Sequence, residues 1–222
     1  MTQKNFVFLH GFGVLGGLNN RKAQFFSQKF KQSRLASFHC IDFNPTPKDF
    51  EYHTLTGMID RLRQYILTYS LEPNYLIGIS QGANVALNYA HRYGGVKKML
   101  LLAPELFYDS YISEDKLQEW KEMVSAPLFH YGFGTELLLN YGHHQDGLRY
   151  VNAPPPPSPM LIIHGVNDKA IPVQRSQDYA DSYPNDVELI TVHDDHFLRN
   201  QTEFIWQQMQ SFFHLSNFRN EL

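Results

Sequence analysis

Short apolar runs alternating with stretches of helical period constrain this 222-residue chain most. That alternation is the signature of helices packed on both faces of a mainly parallel sheet. Phe6-Val7-Phe8-Leu9, Phe38 to Phe43, Tyr75 to Ile79, Met99 to Leu102, Met160 to Ile163 and Val187 to Val192 read as strands. Tyr75-Leu76-Ile77-Gly78-Ile79 is apolar without interruption, as expected of a central strand buried on both faces. Between the strands, Ala23, Phe26 and Phe30 recur at helical spacing within residues 21–32. Leu55, Met58, Ile59, Leu62 and Ile66 make one apolar stripe between Thr54 and Tyr69, with Asp60, Arg61 and Arg63 turned to water. Ala83, Ala86, Leu87 and Ala90 are small enough to bring their helix close to the sheet, and Gly94-Gly95 ends it. Ile205, Met209, Phe212 and Phe213 give a last helix one face with which to cover the sheet. The expected architecture is a three-layer sandwich around a mainly parallel sheet of about six strands.

The alternation stops between Pro104 and Pro159. Phe107, Tyr108, Tyr111, Trp120, Phe129, Tyr131, Phe133, Tyr141 and Tyr150 follow no clean period there, and the segment closes on Pro154-Pro155-Pro156-Pro157. A connection of this length is usually functional or disordered, and its aromatic content argues against disorder. It reads as a partly helical, lid-like insertion over residues 105–158, within one domain spanning 1–222. The prolines serve as a stiff extended strut back to the next strand.

Composition excludes several classes of function. With 19 Lys+Arg against 22 Asp+Glu, and no run of like charge, the chain lacks the clustered cations that nucleic acid requires. No apolar run approaches the ~20 residues of a membrane helix, and the apolar stretch near the N-terminus is too brief for a signal-peptide core. The single cysteine, Cys40, rules out an intrachain disulfide framework and suits a reducing compartment. These features lead to the expectation of a cytoplasmic protein.

The chemistry gathers where strands end. Gly78-Ile79-Ser80-Gln81-Gly82 fits the pattern G-x-S-x-G, and it sits between a strand and a small-residue helix, the context that pattern needs. A strand turning sharply into a helix would lift Ser80 above the sheet at a helix N-terminus, where N–H groups and the helix dipole favour developing negative charge. A serine hydroxyl needs a base, and the base needs a carboxylate to hold its tautomer. Asp168, in His164-Gly165-Val166-Asn167-Asp168, and His196, in His193-Asp194-Asp195-His196, follow Ser80 in chain order, each just past a strand. His193 competes as base, but His196 lies further out in the loop, where a side chain can swing over the sheet edge. Asp194 and Asp195 compete as the carboxylate, but a neighbour in sequence is badly placed to orient the histidine from behind. A metal reading of residues 193–196 is disfavoured, since adjacent loop ligands without a further His or Cys cluster rarely close a site. The backbone N–H groups of Gln81 and of Phe12, in His10-Gly11-Phe12-Gly13, are placed to form an oxyanion hole. Trp120 and Phe129 are candidates for an apolar acyl wall, with plain core packing the competing role.

Together, His10-Gly11-Phe12-Gly13, Gly78-Ile79-Ser80-Gln81-Gly82, His164-Gly165-Val166-Asn167-Asp168 and Asp195-His196 resemble the α/β-hydrolase superfamily, and in particular its small bacterial serine esterases. The resemblance runs from Phe6 to Phe213 and implies a parallel sheet flanked by helices, with Ser80, Asp168 and His196 as a catalytic triad. Two departures stand out. The chain starts at the strand bearing His10-Gly11, without the antiparallel strands of larger members, and the 105–158 insertion is too short for a full cap domain. The resulting expectation is a serine hydrolase that needs no cofactor and acts on a small-molecule carboxylic ester or thioester. A non-catalytic binding protein on the same fold and an acyltransferase are the alternatives. Acyl length, leaving group and oligomeric state stay open.

Overall fold

The computed structural model describes residues 4–31, 36–71, 74–108 and 112–215. Six strands form one sheet: β1 Lys4–Leu9, β2 Ala36–Ile41, β3 Asn74–Ile79, β4 Val96–Leu102, β7 Met160–Gly165 and β8 Val187–Val192. They lie in the order β2-β1-β3-β4-β7-β8, and every pairing is parallel. Side-chain alternation divides the interior into two cores. From β1, Val7 and Leu9 join the core under helices α3 Leu55–Tyr69, α4 Gln81–Tyr93 and α7 Val173–Ser182. Phe6 and Phe8 point the other way, under α1 Arg21–Phe30 and α8 Thr202–Phe212. This is the expected three-layer sandwich.

Local chemistry sets the helix ends. Asn20 Oδ1 accepts from Lys22 N and Ala23 N to start α1; Gln32, at the end of the segment expected to be helical, lies outside the described residues. Thr54 Oγ1 accepts from Gly57 N at the start of α3, and the stripe Leu55, Met58, Ile59, Leu62 and Ile66 is fully buried. At ~1.5–3 kcal/mol per buried side chain, that stripe supplies roughly 10 kcal/mol of gross hydrophobic stabilisation. Gly94, at φ +66°, ends α4.

The insertion between β4 and β7 is helical only in part. It holds α5 Glu114–Met123, an antiparallel hairpin of β5 Ser125–His130 and β6 Thr135–Asn140, and α6 Gly142–Gly147. The hairpin was not expected, because Leu137-Leu138-Leu139 and Ala126-Pro127-Leu128-Phe129 show no strict alternation. It forms outside the main sheet, on a small core of Phe50, Trp120 and Leu139. Phe50 comes from the short helix α2 Pro47–Glu51. The proline strut is anchored at two carbonyls: Tyr179 Oη donates to Pro154 O, and the His91 ring bonds to Pro155 O.

Strand order also reverses direction between β1 and β3. The chain leaves β1 towards β2, then crosses back to place β3 on the other side of β1. The loops after β1 and β3 therefore run in opposite directions from adjacent strands, the position where ligands collect in open α/β sheets.

Candidate active site

Register brings the candidate residues to one edge. Ile79, Leu102, Ile163 and Ile190 are paired across β3, β4, β7 and β8. Ser80 is one residue past that row, Asp168 five and His196 six. Neighbouring strands are ~4.8 Å apart, so β8 lies roughly 14 Å from β3.

Ser80 has φ +51° and ψ −119°, a conformation outside the usual regions for a residue with a side chain. The turn is fixed around it: Ser80 N donates to Leu102 O, and Ser80 O accepts from Ala83 N and Glu105 N. Two glycines make the turn possible. A Cβ on Gly78 would stand 2.5 Å from Ala83 Cα, and one on Gly82 would collide with the carbonyl oxygens of Leu9 and His10. Both obstacles are backbone and cannot rotate aside. Gly82→Ala should therefore push α4 off β1 at a cost of about 2–3 kcal/mol. By calorimetry this should appear as a Tm lower by roughly 5–10 °C.

The loop after β1 lies against this turn, since a Cβ on Gly11 would be 3.2 Å from Ser80 Cβ. His10, fully buried, holds the loop in place. Its Nδ1 donates to Gly11 O at 2.8 Å, and its Nε2 accepts from Phe43 N at 3.0 Å. Burial lowers the His10 pKa, in keeping with this neutral tautomer. Among the described residues, neither Phe12 N–H nor Gln81 N–H is used in a hydrogen bond. The Gln81 side chain is pinned from behind by buried His53, whose Nε2 meets Gln81 Oε1 at 2.8 Å. Burial, and then the nearby His143, push the His53 pKa down to about 3.

Asp168 and His196 meet directly, with His196 Nδ1 donating to Asp168 Oδ2 at 2.7 Å. The Asp168 side chain is fully enclosed, whereas that of His196 is 18% exposed. Asp168 accepts three more hydrogen bonds: from His164 Nε2 at 3.0 Å on Oδ2, and from Ala170 N and Ile171 N at 2.8 Å on Oδ1. Burial pushes the Asp168 carboxyl upward, but the hydrogen bonds from His164, His196 and Ile171 overcome that and hold it well below the usual carboxylate range. His164 itself accepts from Ser176 Oγ at 2.8 Å through Nδ1, which fixes its tautomer. Gly165 lets the loop after β8 pass against β7, because a Cβ there would strike Asp194 O and Asp195 O.

The competing residues have other surroundings. Asp194 is buried and accepts from Asp195 N and Asn200 N, closing the loop before α8. Asp195 accepts from Phe197 N, and His193 is exposed. No group of His, Cys, Asp or Glu suited to holding a metal ion occurs among the described residues, nor a helix long and apolar enough to cross a membrane.

Not every expected residue comes together. Among the described residues, no hydrogen bond joins Ser80 Oγ to His196 Nε2. Trp120 is only 8% exposed and donates its indole N–H to Leu139 O, so it is packed as core under the hairpin. Phe129 is half-exposed on the hairpin, against Tyr131, whose ring touches Phe197 beside His196. The sequence reading gave no role to His10, His53 or His164. His10 and His164 stood inside the quoted motifs, each one residue before a glycine, and that adjacency was the available signal. His53 had none.

A family model described as "Uncharacterised protein family (UPF0227)" matches residues 5–214. A sequence search of the curated proteins finds no match. Among solved structures, α/β hydrolase domain-containing protein 10 from mouse is similar at 18% identity and TM-score 0.78, over 96% of this chain and 90% of its own. Est1E from Butyrivibrio proteoclasticus, solved with ferulic acid bound, is similar at 18% identity and TM-score 0.74, over 96% and 88%. A monoacylglycerol lipase from Paleococcus ferrophilus is similar at 13% identity and TM-score 0.73, over 95% of each chain. At these identities the likeness is one of fold: the sheet and its helices are those of an α/β hydrolase.

Proposed function

This chain belongs to the UPF0227 family, and from that footing we propose that it is a serine hydrolase cleaving carboxylic esters or thioesters through an acyl-enzyme on Ser80. The observation that carries the reading is the strained backbone of Ser80, φ +51° at a strand-to-helix turn. A non-glycine residue holds such a conformation only where the surroundings enforce it, and such residues cluster at working sites. An esterase from Exiguobacterium antarcticum and the monoacylglycerol lipase among the structural neighbours support the same reaction class.

In the proposed reaction, His196 Nε2 takes the Ser80 proton as Oγ attacks the acyl carbon. Asp168 keeps the other ring proton on Nδ1 and stabilises the imidazolium. The Phe12 and Gln81 N–H groups, unused in hydrogen bonds among the described residues, receive the oxyanion. Proton transfer from His196 releases the alcohol or thiol; water, activated by His196, then releases the acid. The Ser80 to His196 hydrogen bond closes with substrate in place, as catalytic hydrogen bonds often do. Residues 105–158 act as a short lid. This is supported by the hairpin turn's seat on the loop after β1, where Gly132 N donates to Gly13 O at 3.1 Å, and by the Tyr131–Phe197 contact across to the His196 loop. Phe129 contributes to an apolar rim there, and Trp120 supports it from beneath.

A panel of nitrophenyl esters and acyl thioesters of graded chain length tests this reading. Turnover of at least one series, abolished in Ser80→Ala, is expected, and the optimum chain length will report the depth of the pocket. No turnover across the panel by a folded protein would contradict it.

A further inference from the structure

One buried ammonium holds the carbonyl groups of the two residues that follow His196. Lys22, in the first turn of α1, donates from Nζ to Phe197 O at 2.7 Å and to Leu198 O at 2.9 Å. Lys22 is only 9% exposed, beside Ala23, Phe26 and Phe30, which fill the rest of that helix face with apolar atoms. The amides of the same loop are held by Asp194 through Asp195 N and Asn200 N. Leu198 is fully buried at φ +48°, a conformation that only firm restraint makes tolerable for leucine. Burying a cation is costly, and here that cost is offset by the two carbonyls it holds. Helix α1 also begins soon after the loop that carries Phe12.

We infer that Lys22 is a positioning residue that ties the His196 loop to α1, and so keeps the base and the oxyanion-binding loop in one relative placement. The inference rests on His196 being the general base. The charges facing Nζ are Asp194 and Asp195, which attract it, and Arg199, which repels it; burial outweighs them all and lowers the ammonium pKa from 10.5 to about 8.

Two effects of opposite sign follow as pH rises. Above about pH 8 the folded protein releases the Lys22 proton, while the unfolded chain keeps it to about 10.5. The unfolded state then binds more protons, so the Lys22 contribution to stability rises with pH. Over the same range the charge-assisted hydrogen bonds to Phe197 O and Leu198 O weaken, so turnover falls. Burial raises the Cys40 pKa, which acts in the opposite sense on stability above pH 9. The Lys22 effect is therefore read as the difference between wild type and Lys22→Met.

The experiment measures kcat, KM and Tm for wild type, Lys22→Met and Lys22→Arg between pH 7 and 9.5, with a nitrophenyl ester as substrate. In Lys22→Met, kcat should fall roughly 10- to 100-fold, the scale of a misplacement of about 1 Å, with KM nearly unchanged. Its alkaline decline in kcat should vanish. Wild-type Tm should gain on that of Lys22→Met as pH rises, while wild-type kcat drops. Lys22→Arg, which stays charged, should recover part of kcat without the decline near pH 8. Wild-type kcat in Lys22→Met, or kcat and Tm falling together with the pH profile unmoved, would overturn the inference and leave the hydrolase reading standing. A folded wild type without turnover would overturn both. Should neither variant fold, wild-type kcat and Tm moving in opposite directions between pH 8 and 9 supports it, and a parallel fall contradicts it.

Discussion

Ser80→Ala and His196→Ala should each lower turnover of an activated ester by about four to six orders of magnitude, with Tm close to that of wild type for Ser80→Ala and somewhat lower for His196→Ala, which removes one of the donors to enclosed Asp168. The expectation follows from what each side chain touches. Ser80 Oγ makes no hydrogen bond among the described residues, and alanine has the same backbone cost as serine at φ +51°, so the substitution removes the nucleophile and little else. His196 is partly exposed and bonded through Nδ1 to Asp168, so its loss opens no cavity in either core. Because nucleophile and base act as a unit, the double variant should be scarcely worse than either single one. A fall of ten-fold or less in both single variants would mean that other residues carry the reaction.

Asp168→Asn should cost roughly 10⁴ in kcat, although it changes few atoms. Ala170 N and Ile171 N both donate to Oδ1, so the amide oxygen must take that position. The amide nitrogen then faces His196 Nδ1 and His164 Nε2 where the carboxylate had accepted from both. His196 can meet an N–H donor only by giving up its Nδ1 proton and carrying it on Nε2, where it cannot accept the proton of Ser80. The same hydrogen bonds connect the carboxylate to stability. With its folded pKa below the unfolded value of 3.8, ionised Asp168 contributes stability that is fully present above about pH 5 and is lost as pH falls. Wild type should therefore lose more Tm than Asp168→Asn between pH 5 and 2.5, and kinetics together with acid melting curves would show both effects.

Much of this site could be read from the sequence because its chemistry is local. Gly78 and Gly82 flank Ser80 since backbone must pass where a Cβ would be, and that necessity is written in the pentapeptide itself. The six strands were legible from apolar runs, with ends displaced by a few residues: the second strand is Ala36–Ile41, where the apolar pattern suggested 38–43. Edge strand β2 has one neighbour and a half-buried face, so hydrophobicity marks its limits poorly. Contacts between distant segments left no such trace. Lys22 lies 175 residues from Phe197, and nothing around either signals the other. His53 reaches Gln81 from a loop with no motif of its own. The hairpin of 125–140 is hidden because its support is Trp120 and Phe50 rather than the main sheet, so its strands need not alternate.

The most direct test of the central idea, that Ser80 is an activated nucleophile, is labelling with a fluorophosphonate probe followed by mapping of the modified peptide. A single adduct on Ser80, absent from Ser80→Ala and formed at least a hundred-fold more slowly in His196→Ala, is the expected result. A folded wild type that takes no label, or takes it at another residue, would contradict it.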